Sequence, residues 1–247
     1  MDKFLYIAAS GAKQDLLGTA VRANNLANTQ TVGFKAQLEQ ARAMPSYGDG
    51  LPSRVFSMTE SPTNNYDDGA MIQTERPLDL AIQGNGWFAV QDANGNEAYT
   101  RAGNMRLSAE GILEDAHGNI VIGDAGPISL PIPLDNIDIA GDGTISLRPL
   151  GAPETVLEEV GRLKLVNPDY QQMQRGTDGL FRLKDGSVAD QDDNVAIRSG
   201  MLEGSNVNAI EEMVSMITLQ RHYEMQVKLM KKADELSMRG NMLMRII

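Results

Sequence analysis

Cysteine is absent from all 247 residues, which excludes disulfides, a thiolate nucleophile and thiolate metal ligation and leaves the redox compartment undetermined. Histidine is nearly absent as well. His117 sits in a turn-like Asp115-Ala116-His117-Gly118-Asn119 stretch, and His222 lies far away beside Arg221 and Tyr223. Two separated imidazoles support neither a histidine metal site nor a Ser-His-Asp arrangement, and no catalytic constellation, cofactor site or metal site is expected. No run of about 18 apolar residues exists, so no segment is expected to cross a membrane as a helix. The first ten residues, Met1 to Ser10, lack a basic leading region and a clean apolar stretch, so export by a cleaved signal peptide is not expected. Positive charge is in deficit: 22 Lys and Arg stand against 33 Asp and Glu, a net of -11. The two ends hold a small positive excess and the middle carries the acidity. An acidic body repels nucleic acid, which is not expected as a partner.

What the chain does have is a helical stripe at each end. Leu5, Ala9, Ala12, Leu16, Thr19, Ala23 and Leu26 recur at alternating four- and three-residue steps near the start. Leu219, Tyr223, Val227, Met230, Ala233, Leu236, Gly240, Leu243 and Ile247 keep nearly the same rhythm near the finish. Such spacing puts a narrow apolar seam on each helix, and a lone helix with that seam is marginal in water. The seams are expected to bury against each other and against other copies of the pair. The first helix is expected over about residues 3–28, followed by a turn in which Gly33 takes positive φ. The last is expected over 208–247, capped by Asn208, with Glu211 and Glu212 in its first turn and Arg245 in its last. At 1.5 Å per residue these rods extend roughly 40 and 60 Å.

Between the ends the texture changes twice. Residues 43–75 are poor in large apolar side chains and include Ser61-Pro62-Thr63-Asn64-Asn65, a stretch too long for an ordinary connection. From Leu78 onward short alternating runs follow, among them Leu78-Asp79-Leu80-Ala81-Ile82, Ile128-Ser129-Leu130, Ile137-Asp138-Ile139, Ile145-Ser146-Leu147 and Leu163-Lys164-Leu165. Half-buried strands look like this, and Asn94-Gly95 and Asp185-Gly186 are hairpin-type turn pairs. The expected fold is α+β: paired N- and C-terminal helices form a coiled-coil-like stem on a central all-β domain. The expected division is 1–36 for the first helix, 37–75 for an extended arm or linker, 76–202 for the β domain and 203–247 for the last helix.

Two motifs invite a ligand and fail on inspection. Gly84-Asn85-Gly86 lacks the third glycine of a dinucleotide loop, since residue 89 is Ala, and a strand-like Trp87-Phe88-Ala89-Val90 follows instead of a helix. Asp92-Ala93-Asn94-Gly95-Asn96 and Asp190-Gln191-Asp192-Asp193-Asn194 lack the glycine and glutamate of a calcium loop.

The end motifs carry a resemblance. Ala23-Asn24-Asn25-Leu26-Ala27-Asn28, followed by Thr31-Val32-Gly33-Phe34-Lys35, resembles the N-terminal signature of bacterial flagellar rod and hook proteins. Glu203-Gly204-Ser205-Asn206-Val207-Asn208, with Glu211-Glu212-Met213-Val214 and Gln220-Arg221-His222-Tyr223-Glu224, resembles their C-terminal signature. Arg76-Pro77-Leu78-Asp79-Leu80-Ala81-Ile82, Gly86-Trp87-Phe88 and Tyr99-Thr100-Arg101-Ala102-Gly103-Asn104 are similar to their shared β domain. The resemblance covers nearly the whole chain, and the length favours a rod subunit over the larger hook protein. The resemblance implies a non-enzymatic subunit of the basal-body rod that crosses the periplasm. It implies axial contacts with other rod proteins above and below, copies of itself in a helical array, and delivery by the flagellar type III export apparatus. It also implies terminal helices paired in an inner tube.

The residues expected at the assembly interface follow from seam and motif together. Leu5, Leu16, Leu26, Tyr223, Met230 and Leu236 would bury the helical seam. Asn24, Asn25, Asn28, Asn206 and Asn208 would satisfy backbone groups at helix ends and junctions. Gly33, Phe34 and Val207 complete the end motifs. Three rivals stay open at this stage. One is a sibling distal-rod subunit. Another is a soluble β-domain binding module dimerised by its helices. The third is an enzyme, which would need a concave polar pocket with perturbed titratable groups.

Overall fold

The computed structural model describes residues 2–39, 41–45, 55–59, 63–149 and 158–244. Arg245 and Ile247, named above as a last-turn cation and a seam residue, lie outside them, as do Ser61 and Pro62. The chain divides into two compact units: residues 1–29, 35–65 and 207–247 form one, and residues 30–34 and 66–206 form the other.

The first unit is built on two helices, α1 (Asp2–Ala27) and α2 (Ala209–Met244). Asn208 closes the start of α2, its side-chain Oδ1 accepting from the Ile210 N–H at 3.1 Å, and Glu211 and Glu212 occupy the first turn, where the helix dipole favours acids. The helices pack antiparallel: α1 meets α2 at Gly11 against Gln226, Gly18 against Leu219 and Arg22 against Glu212. Two short antiparallel pairs complete the unit, Gln37–Leu38 with Thr63–Asn64 and Ala41–Pro45 with Val55–Thr59. The strand Val55–Thr59 also packs on α1.

The inner stripe differs from the expected seam. On α1 the covered residues are Ala8, Ala12, Gly18 and Asn25, whereas Ala9, Leu16 and Ala23 face outward. On α2 Tyr223, Val227, Met230 and Ala233 are partly covered as expected, but Leu236 is 61% exposed and Ser237 takes the inner place. Small residues on the inner face of α1 let the axes approach, and the bulkier Leu16 lies on the outward face. The unit's buried apolar residues, among those described, are Ala8, Ala12 and Ala36. No large apolar side chain among the described residues is buried there.

The second unit owns the core. A 9-stranded sheet runs through Met173–Arg175, Phe181–Leu183, Glu97–Thr100, Trp87–Gln91, Ile120–Gly123, Leu113–Glu114 and Arg106–Leu107, with two short strands appended. Trp87–Gln91 is its middle. Phe88 and Val90 enter one apolar cluster with Leu80, Ile82, Met105 and Leu165, while Trp87 and Ala89 enter another with Tyr99, Val166 and Phe181. A strand buried on both faces reads as a continuous apolar run, which is how Trp87-Phe88-Ala89-Val90 reads. A 3-stranded sheet, Leu134–Ile139, Thr144–Pro149 and Glu158–Arg162, closes the first cluster.

Aspartates shape the turns. Asp92 Oδ1 accepts from the N–H groups of Asn94 and Asn96 at 2.8 and 2.9 Å, and Asp115 does the same for His117 and Asn119. The calcium-like spacing of Asp92 is therefore that of a side-chain-capped hairpin turn joining Trp87–Gln91 to Glu97–Thr100. Asp185-Gly186 is also a turn, but it follows Phe181–Leu183 without joining it to a paired strand. Ile128-Ser129-Leu130 forms no strand and makes one isolated bridge, Ile112 to Ser129.

Candidate assembly surface

In the helical unit the functional geometry begins with Asn25, fully buried on α1. Its Nδ2 donates to Gln37 O at 2.9 Å and to Glu212 Oε1 at 3.0 Å, and its Oδ1 accepts from Gln37 N at 2.9 Å. Arg22 reaches the same Glu212 carboxylate at 3.2 Å. One amide thus ties α1, α2 and the strand after the turn. Asn24 and Asn28 play a local role: Asn28 donates from its backbone and its side chain to Asn24 O, closing the last turn of α1. Leu5 and Leu26 are partly covered, and Leu16 is 54% exposed. Val207 is partly covered just before α2.

A second node lies in the β unit. Arg101 and Glu203, both fully buried, meet at 2.9 Å. Arg101 also donates to Gly84 O at 2.7 Å and stacks over Trp87 at 5.5 Å from the ring centre. The other Glu203 oxygen accepts from the Gly69 N–H at 3.0 Å. Gly33 sits against this pair with φ +66, its N–H donating to Glu203 O at 2.8 Å. A Cβ at Gly33 would fall 2.3 Å from the Arg101 carbonyl carbon, so both the backbone angle and the space demand glycine. Phe34 is buried beneath the Arg175 guanidinium, 4.4 Å from its ring centre, and burial holds the Arg175 pKa below its usual value. The Asn206 N–H donates to Phe34 O at 3.3 Å and its Nδ2 to Asp67 O at 2.9 Å. Gly33, Phe34 and Asn206 are therefore brought together.

Sequence alone assigns Glu212 to the first turn of the last helix and gives Arg22, Arg101 and Glu203 no role, and it pairs none of the four. Arg101 and Glu203 stand inside the quoted motifs, but 102 residues separate them, and nothing local pairs them. A buried ion pair needs both partners, since either alone would be an uncompensated charge.

The outward side of α2 supplies the third feature. Ile210, Met213, Val214 and Ile217 follow the i, i+3, i+4, i+7 spacing of one helix face and are between 49% and 74% exposed. This stripe is turned away from the residues that meet α1. Leu16 and Leu17 are exposed on α1, and Met44, Val55 and Met58 on the neighbouring strand pair. A unit whose buried apolar residues, among those described, are alanines, and which leaves Leu16, Leu17, Ile210, Met213, Val214 and Ile217 exposed, has apolar surface arranged for other chains.

Comparison with known proteins finds this chain similar to flagellar rod proteins. Three family models match: "Flagella basal body rod protein" over residues 5–35, "Flagellar hook protein FlgE/F/G D1 domain" over 81–147 and "Flagellar basal body rod FlgEFG protein C-terminal" over 198–243. The chain is 44% identical over 250 residues to the flagellar basal-body rod protein FlgF of Escherichia coli K12, covering 99% of each. It is 43% identical to FlgF of Salmonella typhimurium LT2, again covering 99% of each. To the flagellar basal-body rod protein FlgG of Agrobacterium fabrum C58 it is 30% identical, covering 94% of this chain and 96% of that one.

Proposed function

Since the chain belongs to the flagellar basal-body rod protein family and is a FlgF-like structural subunit of the rod, we propose that it builds the proximal rod. There it joins copies of itself and the axial proteins above and below it, and passes torque from motor to hook. The observation that carries this reading is the inside-out helical unit: alanines within, and the Ile210–Ile217 stripe without. At about 25 cal/mol per Å2, apolar side chains left in water on this scale forgo several kcal/mol that assembly recovers.

In this reading residues 1–36 and 203–247 pair as a coiled-coil-like stem lining the tube, 37–75 is the arm, and 76–202 stands outside. Heterologous contacts, each using two different faces of the subunit, extend such an array helically. Delivery is through the flagellar type III apparatus, which suits ends held by little core. The work is mechanical and non-enzymatic. A cleft of about 550 Å3 lined by Gln91, Glu97, Arg182 and Val188 holds one strongly perturbed group, Arg182. That guanidinium is consumed by Asp92 at 2.7 Å and Asp178 at 2.5 Å.

Replacing Ile217 with Asp in cells that carry only the variant tests the reading. The expected result is a free chain of unchanged helix content, hook–basal bodies that lack the tagged subunit, and no motility. Normal incorporation of the Ile217→Asp chain into rods, with wild-type swimming, would overturn it.

A further inference from the structure

Gly18 marks the place where three segments of the helical unit meet. A Cβ there would lie 2.6 Å from Glu39 Oε2 and 3.2 Å from Leu219 Cδ1, so α1, α2 and the segment after Gln37–Leu38 converge on that residue. The Gln14 side-chain amide donates to Glu39 Oε1. Asp15, next along α1, has its Oδ2 sealed from solvent with no hydrogen bond among the described residues. Arg22 on α1 acts on Glu39, and His222 on α2 acts on Asp15. Arg22 is itself engaged by Glu212 at 3.2 Å. The strands Gln37–Leu38 and Val55–Thr59, also packed on α1, carry no titratable side chain.

We propose that Asp15 and Glu39 form a proton-sensitive joint that loosens the α1–α2 pairing when both carboxylates are ionised and tightens it when they take up protons. The inference concerns the free chain and does not rest on the rod assignment. Burial, the dominant influence on each, raises both carboxyl pKa values against the lowering pull of His222 on Asp15 and of Arg22 on Glu39, and the Asp15 charge adds to the rise at Glu39. The folded unit therefore binds more protons than the unfolded one between the ordinary carboxylate pKa and the raised one. Stability contributed by the joint is complete below the ordinary value and falls as pH rises through the raised value. At neutral pH the ends of the free chain open more readily than their contacts alone would dictate.

Hydrogen exchange of the full chain, corrected for intrinsic rates, reads this directly. Protection of α1 and α2 amides is expected to fall severalfold, at least about threefold, between about pH 4.5 and about pH 7.5 as the carboxylates ionise. Asp15→Asn and Glu39→Gln keep size and hydrogen-bonding capacity. Each is expected to raise protection at neutral pH by about threefold to tenfold and to flatten the pH profile. Lys13→Gln, on the exposed side of α1, should leave the profile unchanged. An undiminished pH slope in Asp15→Asn and Glu39→Gln would overturn the proposal. So would a slope abolished by His222→Gln and kept by both carboxylate variants, which would assign it to the imidazole.

Discussion

Replacing Asn25 with Ala should uncouple the helical unit while sparing the β unit. The side chain makes three hydrogen bonds of 2.9 to 3.0 Å, two to the backbone of Gln37 and one to Glu212. Truncation leaves the Gln37 N–H and C=O without those partners and leaves Glu212 to Arg22 alone. Each orphaned buried group costs about 1–3 kcal/mol, but Gln37 is half-buried and water recovers part of that. The expected loss is about 2–4 kcal/mol. Asn25→Asp keeps the acceptor, loses the donor and sets a second carboxylate beside Glu212. It should therefore cost more than Asn25→Ala at neutral pH, and the difference should shrink in acid as the new carboxyl regains a proton to donate. Two probes separate the units. Far-UV circular dichroism follows the helices, and fluorescence follows Trp87, the single tryptophan, fully buried in the β unit. In urea the helical transition of Asn25→Ala should move to lower denaturant while the Trp87 transition stays. A helical transition unmoved, or both transitions shifting together, would refute the argument that this amide is what ties α1 to α2 and the following strand.

Other consequences concern the β unit. Arg101→Met strands the Glu203 carboxylate in the interior and should lower stability by about 3–5 kcal/mol in the Trp87 transition, with Glu203→Leu added to it restoring most of the loss. Acid should act on this unit in the opposite sense to the helices. The Asn96 and Asn94 N–H groups and Arg182 hold the Asp92 pKa down to about 2. That stabilisation is present above the ordinary carboxylate pKa and is lost as pH falls through the depressed one. The Trp87 transition of the wild type should weaken from about pH 4 downward, and Asp92→Ala should lose about 2 kcal/mol near neutrality and titrate less steeply.

Much of this architecture was legible in local pattern. The 3.6-residue rhythm located both helices to within a few residues, Asn208 announced its cap, and Gly33 its left-handed turn. Alternation located Leu80–Gln83, Leu134–Ile139 and Thr144–Pro149. Side-chain direction was harder. A stripe of Leu and Ala says that a face is buried, not by what, and Leu16 and Leu236 turned out to point away from the partner helix. Inner positions on α1 went instead to small and polar residues, because close approach of two helices needs small side chains and Asn25 needs partners. Long-range pairing was illegible altogether. Arg101 and Glu203 find each other only once the sheet has brought residues far apart in sequence together. Asn94-Gly95 marked the hairpin turn, yet the capping role of Asp92 depends on backbone N–H positions that composition does not specify.

The central claim is that the outward apolar face of α2 is covered by neighbouring subunits. Met213 lies within that stripe, 49% exposed in the free chain, and its thioether oxidises readily when solvent reaches it. Timed peroxide footprinting of the free chain and of purified rods, read by mass spectrometry, compares the two states. Rapid oxidation of Met213 in the free chain and strong protection in the rod is the predicted result. Equal oxidation in both would contradict the account, because the stripe would then remain in water after assembly.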